Sequence, residues 1–203
     1  MSFLQSRLYS QLIQFSNHIF LSVLWVVCCL PLITIVPATI SLYAVVRAWK
    51  KEENEGILYL FFTEMKENMI QKIMMSLALL LFIFVFYLNL MLMLTNEVSL
   101  LPIVLLCNSL ILFVCLSVHF CNIYVRSKEK KILTIFKNTL MLVVTQLPWT
   151  FIGLITIGLV CLLVLVLPLI IFIIGSLLAY LLILISDKAL DKINIKQQMI
   201  KNI

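Results

Sequence analysis

The chain has 203 residues, of which 64% are hydrophobic and 12% charged, with a formal net charge of +6 and a mean hydropathy of +1.17. A soluble domain carries about 45–50% apolar and about 25% charged residues, so a soluble fold of this length could not hide so much apolar surface. The apolar runs are continuous and about twenty residues long, which suits helices crossing a bilayer and excludes the short alternating segments of a β-barrel. The basic residues cluster between the apolar runs, where orientation signals and anionic lipid headgroups account for them; nucleic acid is not an expected partner. The expected fold is all-α, a single polytopic helical membrane bundle over residues 1–203 with about five spans.

In chain order, residues 1–17 are mixed in polarity. Leu4, Leu8, Leu12 and Phe15 recur at helical spacing, which predicts an amphipathic helix in the membrane interface. A cleaved signal peptide is not expected, because no small-x-small site follows the apolar run. Ile19 to Val46 is then apolar for 28 residues. As a straight helix it would be about 42 Å long, against a hydrocarbon core of about 30 Å. Pro31 and Pro37 mark where it must break, since each lacks a backbone donor and disfavours helix in the residue before it. The expected arrangement is a helix from about Ile19, a break within Leu30–Val36, and a second helix opening near Pro37 as its first residue. The broken run, span 1 over 19–46, either crosses the membrane or folds back as a re-entrant hairpin. In the first case the N-terminus lies outside, in the second inside.

Arg47 to Lys72 is polar and holds Arg47, Lys50, Lys51, Lys66 and Lys72. Within it, Leu58, Phe61, Phe62, Met65 and Met69 form an apolar stripe that predicts an elbow helix over 57–72. Spans 2 and 3 follow at 73–95 and 100–124, joined by a tight hairpin at 96–99. Arg126, Lys128, Lys130, Lys131 and Lys137 precede and enter a second elbow at 128–138. Thr139 to Ser186 is apolar for 48 residues, enough for two spans, assigned to 139–160 and 163–186. The turn between them falls within Thr156–Leu159 or just before Pro168. The tail, 187–203, carries Lys188, Lys192, Lys196 and Lys201. Loops rich in Lys and Arg face the cytoplasm, so the C-terminus is expected there, with the protein in the cell membrane.

Few residues offer chemistry. The six cysteines, at 28, 29, 107, 115, 121 and 161, have no CxxC spacing and read as small buried hydrophobes. No acidic residue lies well inside a span, so carboxylate ion sites and proton relays lack their usual groups. Hydrolase motifs and phosphate-binding glycine loops are absent, and the expectation is a non-enzyme with no cofactor or metal. His119 and Cys121 point apart on a helix. The useful polar residues are Asn89, Asn108, His119 and Gln146, which read either as hydrogen bonds between spans or as the lining of a pocket. Gly175 and Ala179 form a small-xxx-small pair suited to close helix contact. The strongest motif is the break itself: Pro31, Thr34, Pro37, Thr39, Tyr43 and Arg47.

Leu24-Trp25, Leu30-Pro31-Leu32-Ile33-Thr34-Ile35, Pro37-Ala38-Thr39, Leu42-Tyr43 and Arg47 together resemble the YesL-like family of bacterial membrane proteins (domain of unknown function 624). Asn17, Lys66 and Asn68 fit the same pattern, and Val36 stands where the family usually has glycine. The resemblance implies a small multi-span protein, encoded beside carbohydrate ABC transporters and sugar-responsive regulators in Gram-positive bacteria. It brings no biochemical activity with it. Two functions follow as expectations. One is an accessory membrane protein tied to carbohydrate uptake or its regulation, meeting anionic lipids and a carbohydrate ABC transporter or regulator. The other is a small-molecule transporter or channel with its site at the Pro31–Pro37 break, where transporters place broken helices.

Overall fold

The computed structural model describes residues 2–51, 56–95, 100–127 and 131–201. Within them the chain forms eight α-helices: α1 Ser2–Cys29, α2 Ile35–Lys50, α3 Ile57–Lys66, α4 Met69–Thr95, α5 Leu100–Arg126, α6 Ile132–Thr145, α7 Leu147–Val166 and α8 Ile171–Lys201. Among the described residues five segments are long and apolar enough to cross a membrane: Leu12–Cys29, Leu32–Lys50, Met69–Met91, Leu147–Val166 and Pro168–Lys192. Helix α5, at 27 residues, matches α4 in length.

The proline break reverses the chain. Trp25 of α1 bonds to Thr39 of α2, and the rings of His18 and Trp49 lie 5.0 Å apart. A straight 28-residue run would hold its ends roughly 40 Å apart, so α1 and α2 are antiparallel partners and not successive halves of one span. The chain folds back at the break, and each arm, Leu12–Cys29 and Leu32–Lys50, is by itself long and apolar enough to cross a membrane, where the sequence predicts one broken span or a re-entrant hairpin. The expected interfacial helix over 1–17 is not a separate element, because α1 runs on from Ser2 to Cys29. Helix α2 opens at Ile35, with Pro37 third and not first.

Such a reversal would leave bare amide groups where lipid offers no replacement for water. Several of these groups are paired within the protein. Thr34 N–H donates to Pro31 O (2.9 Å) and Ile35 N–H to Leu32 O, forming a 3-10 turn over Leu32–Thr34. Val36 N–H donates to Ser76 Oγ of α4 (3.3 Å). Pro37 has no N–H to satisfy. The Thr34 hydroxyl is shared between the carbonyls of Cys28 (2.6 Å) and Pro31 (2.7 Å), which closes the end of α1.

Helix α2 is the core. Ile40, Leu42, Tyr43, Val45 and Val46 point in all directions around it and all are buried. A helix apolar all round belongs in the middle of a bundle. It packs with Leu21 of α1, Phe61 of α3, Val118 of α5 and Ile183 of α8, and on another side Ile40 joins Tyr124, Ile135 and Leu142.

The elbows and later spans differ from expectation in their limits. The first elbow ends at Lys66, and Asn68 turns the corner into α4 with φ 48°. Asparagine is one of the few residues that adopts this left-handed conformation readily. α4 and α5 form the expected hairpin, with Phe82 stacked on Phe113 at 4.8 Å and Lys72 over the Tyr124 ring; its loop, 96–99, lies outside the described residues. The second elbow runs further than 138, as α6 to Thr145. Spans 4 and 5 are displaced to α7 and α8, about the turn at Leu167–Ile170. Pro148 explains the shift. It sits in the first turn of α7 and cannot donate to a helix continuing from α6, and Gln146 before it leaves helical geometry (φ −123°, ψ 46°). The tail is not a separate segment, since α8 continues through it to Lys201.

Small residues set the closest contacts. A Cβ at Gly175 would lie 3.0 Å from Trp25 Cε3, and one at Gly153 would collide with Val118 Cγ1, whereas one at Gly158 would meet nothing. Two outcomes are expected. Gly153→Ala lowers stability by about 1–3 kcal/mol, while Gly158→Ala is neutral or slightly stabilising, up to about 1 kcal/mol; thermal melts in detergent read both, and Gly153→Ala combined with Val118→Ala recovers part of the loss. In a chain freed of its native cysteines, Asn17→Cys and Lys51→Cys are labelled by an impermeant maleimide from the same side of the membrane. Labelling from opposite sides contradicts the fold-back.

Candidate functional site

Charge gathers at one end of the bundle. Arg47 and Lys50 leave the last turn of α2, Asn122 and Arg126 the last turns of α5, and Asp187 stands on α8. Lys50 Nζ lies 2.7 Å from Asp187 Oδ2, while Arg47 Nη1 and Arg126 Nη1 lie 3.5 and 3.4 Å from Oδ1. Asn122 completes the group, accepting from Arg47 (2.7 Å) and donating to Asp187 (3.1 Å). One carboxylate thus joins three helices that are far apart in sequence. Its side chain is 15% exposed, Arg47 16%, Lys50 34% and Arg126 41%. The inner pair therefore interacts under less solvent screening than the outer two cations.

Beside this cluster α2, α3 and α5 enclose a cleft of about 220 Å³, lined by Arg47, Lys51, Leu60, Glu64, Val125 and Arg126 among others. Glu64 Oε2 is buried with no hydrogen-bond partner, and the Glu64 main-chain carbonyl accepts from the buried Lys72 Nζ.

The break motif is occupied by its own structure. Pro31 is exposed and Pro37 buried. Thr34 serves the two carbonyls described above. Thr39 donates to Ile35 O (2.7 Å) and accepts from Trp25 Nε1 (3.2 Å), so its hydroxyl is used in both directions. Tyr43 is core. Arg47 alone of this set reaches the charged cluster. Val36, in place of the family's usual glycine, lies within the first turn of α2 and needs no special backbone; Asn68 is the only non-glycine residue with positive φ among those described.

The expected polar set divides. His119 is buried between spans, with Nδ1 3.1 Å from Ser186 Oγ and Nε2 3.1 Å from Thr150 Oγ1. Gln146 is buried too, and its main-chain carbonyl accepts from the Thr150 hydroxyl. Asn89 is exposed and donates back to Val85 O of its own helix (2.9 Å). The Asn108 side chain lies outside the described residues. A further polar contact that the sequence reading did not single out ties α1 to α8: His18 Nδ1 and the Ser22 hydroxyl both meet Ser176 Oγ, at 2.9 and 3.1 Å. Its signal was the neighbouring Gly175, which admits the close approach. Among the described residues no three His, Cys, Asp or Glu side chains come together to hold a metal ion.

Five apolar segments long enough to cross a membrane, packed around a central apolar helix, define a multi-pass helical membrane protein. Residues 19–90 match the family model described as Protein of unknown function, DUF624. This segment is similar to that family, the YesL-like one that the sequence resembles. No curated protein and no solved structure matches the chain.

The charged end should behave unequally on substitution. Asp187→Asn leaves Arg47, Lys50 and Arg126 facing one another and costs about 2 kcal/mol. Lys50→Gln removes an exposed partner and costs less than ~1 kcal/mol. Urea or thermal unfolding in detergent gives the ranking, and high salt narrows the gap.

Proposed function

We propose that the protein is a non-enzymatic accessory protein of the cell membrane, serving carbohydrate uptake or its regulation, with its C-terminal end cytoplasmic. One observation supports this over a transporter with its site at the break. The hydroxyls of Thr34 and Thr39 and the Val36 amide, within and beside the Pro31–Pro37 segment, are paired inside the protein, by Cys28, Pro31, Ile35, Trp25 and Ser76. A substrate there would have to displace bonds that hold the reversal together. The exposed charges collect instead at the end of α2, α5 and α8, on a face that a partner subunit or anionic headgroups can reach. The link to carbohydrate uptake rests on the family resemblance.

Co-purification from native membranes tests the reading. Recovery with a carbohydrate transporter subunit or a sugar-responsive regulator is expected, and recovery alone counts against it. In parallel, proteoliposomes should show no sugar flux. Flux that is abolished by Pro37→Ala or Thr34→Val would reinstate the transporter.

A further inference from the structure

The cleft between α2, α3 and α5 has a composition that the bundle does not need for packing. Arg47, Lys51 and Arg126 bring three cations to its walls against one carboxylate, Glu64. Asp187 draws on Lys50 most closely, and it meets both guanidinium groups through Nη1. A guanidinium carries five N–H donors in a planar fork, so each arginine keeps donors beyond that contact. Two forks with a lysine form a receptor for a tetrahedral oxyanion, which takes paired N–H donors. Glu64 adds a different demand. A buried carboxylate oxygen without a donor is costly, and beside bound phosphate a hydroxyl could supply it without adding charge. At the roughly 30 Å³ that a water occupies in the liquid, about 220 Å³ holds a small phosphorylated polyol and not merely an ion.

We infer that this cleft binds a phosphate ester carrying free hydroxyls, the phosphate on Arg47, Lys51 and Arg126 and a hydroxyl on Glu64. The site does not depend on the proposed link to a carbohydrate transporter. Such a group comes either from a lipid headgroup of the glycerophosphate type or from a soluble polyol phosphate, and the cleft lies at the bundle end where both are available.

The test uses the full chain in phosphatidylcholine nanodiscs. One arm adds glycerol 3-phosphate, a second adds inorganic phosphate, and a third replaces part of the lipid with phosphatidylglycerol; the unfolding midpoint and phosphorus NMR line widths are read. A rise in midpoint with phosphatidylglycerol alone identifies a lipid source, and a rise with glycerol 3-phosphate alone a soluble one. Both rising, with glycerol 3-phosphate competing against the lipid, identifies one cleft that takes either. Arg126→Gln should weaken binding about tenfold or more, while Lys137→Gln, on the exposed face of α6, leaves it unchanged. Glu64→Gln should reduce the preference for glycerol 3-phosphate over inorganic phosphate by roughly tenfold. The inference is overturned if no probe moves the midpoint, or if Arg126→Gln binds as the parent does. Should Arg126→Gln fail to fold, an unchanged preference in Glu64→Gln overturns it alone.

Discussion

The structure depends on one constraint: in a lipid surround, every backbone donor at a chain reversal must find an acceptor inside the protein. Residues 30–37 meet much of it locally. Pro31 and Pro37 have no donor to place, a 3-10 turn takes those of Thr34 and Ile35, and Ser76 of another helix takes that of Val36. Because Ser76 supplies that last acceptor, α4 is bound to the reversal from the start of its apolar stretch. The position of α2 follows. Once its opening turn is fixed against α4 and its partner α1 lies alongside, the helix has no face left for lipid, and its apolar surface becomes the core.

A central helix also explains where the charges went. Arg47 and Lys50 end α2, so burying α2 draws their charges toward the middle of the bundle end. A cation partly removed from water needs a compensating group, and Asp187 supplies it from α8. Asn122 mediates between arginine and carboxylate, accepting from one and donating to the other. The result ties α2, α5 and α8 together with polar bonds at the end where apolar packing alone would leave rotation and sliding unspecified.

Much of this was legible in the sequence. The all-α bundle, the proline break, the α4–α5 hairpin and the apolar character of the remaining runs follow from length and hydropathy. The direction taken at the break was not, because two prolines say that a helix stops without saying where the chain goes next. That depended on Trp25 finding Thr39, a contact with no local signature. The limits of α7 are hidden in the hydropathy because 139–186 is apolar throughout, and the boundary rests on Pro148, a stop for one helix and a fit for the first turn of the next. Of the charged cluster the sequence marks Arg47, while Asp187 stands at the start of the polar tail with no local sign of a partner. Residues 47, 122 and 187 meet only after three helices pack, and a carboxylate next to a long apolar run was the one available hint.

The contact between His18 and Ser176 spans 158 residues. It joins the first helix to the last, so the bundle is a ring closed by its final strut. Hairpins α1–α2, α4–α5 and α7–α8 are each local in sequence and can pair as soon as they are made. The seam between α1 and α8 cannot. During synthesis the serine and histidine of α1 face lipid or a substitute partner until α8 arrives. A nascent chain halted before α8 therefore displays a polar stripe within the membrane, which is the kind of feature that membrane quality control can read.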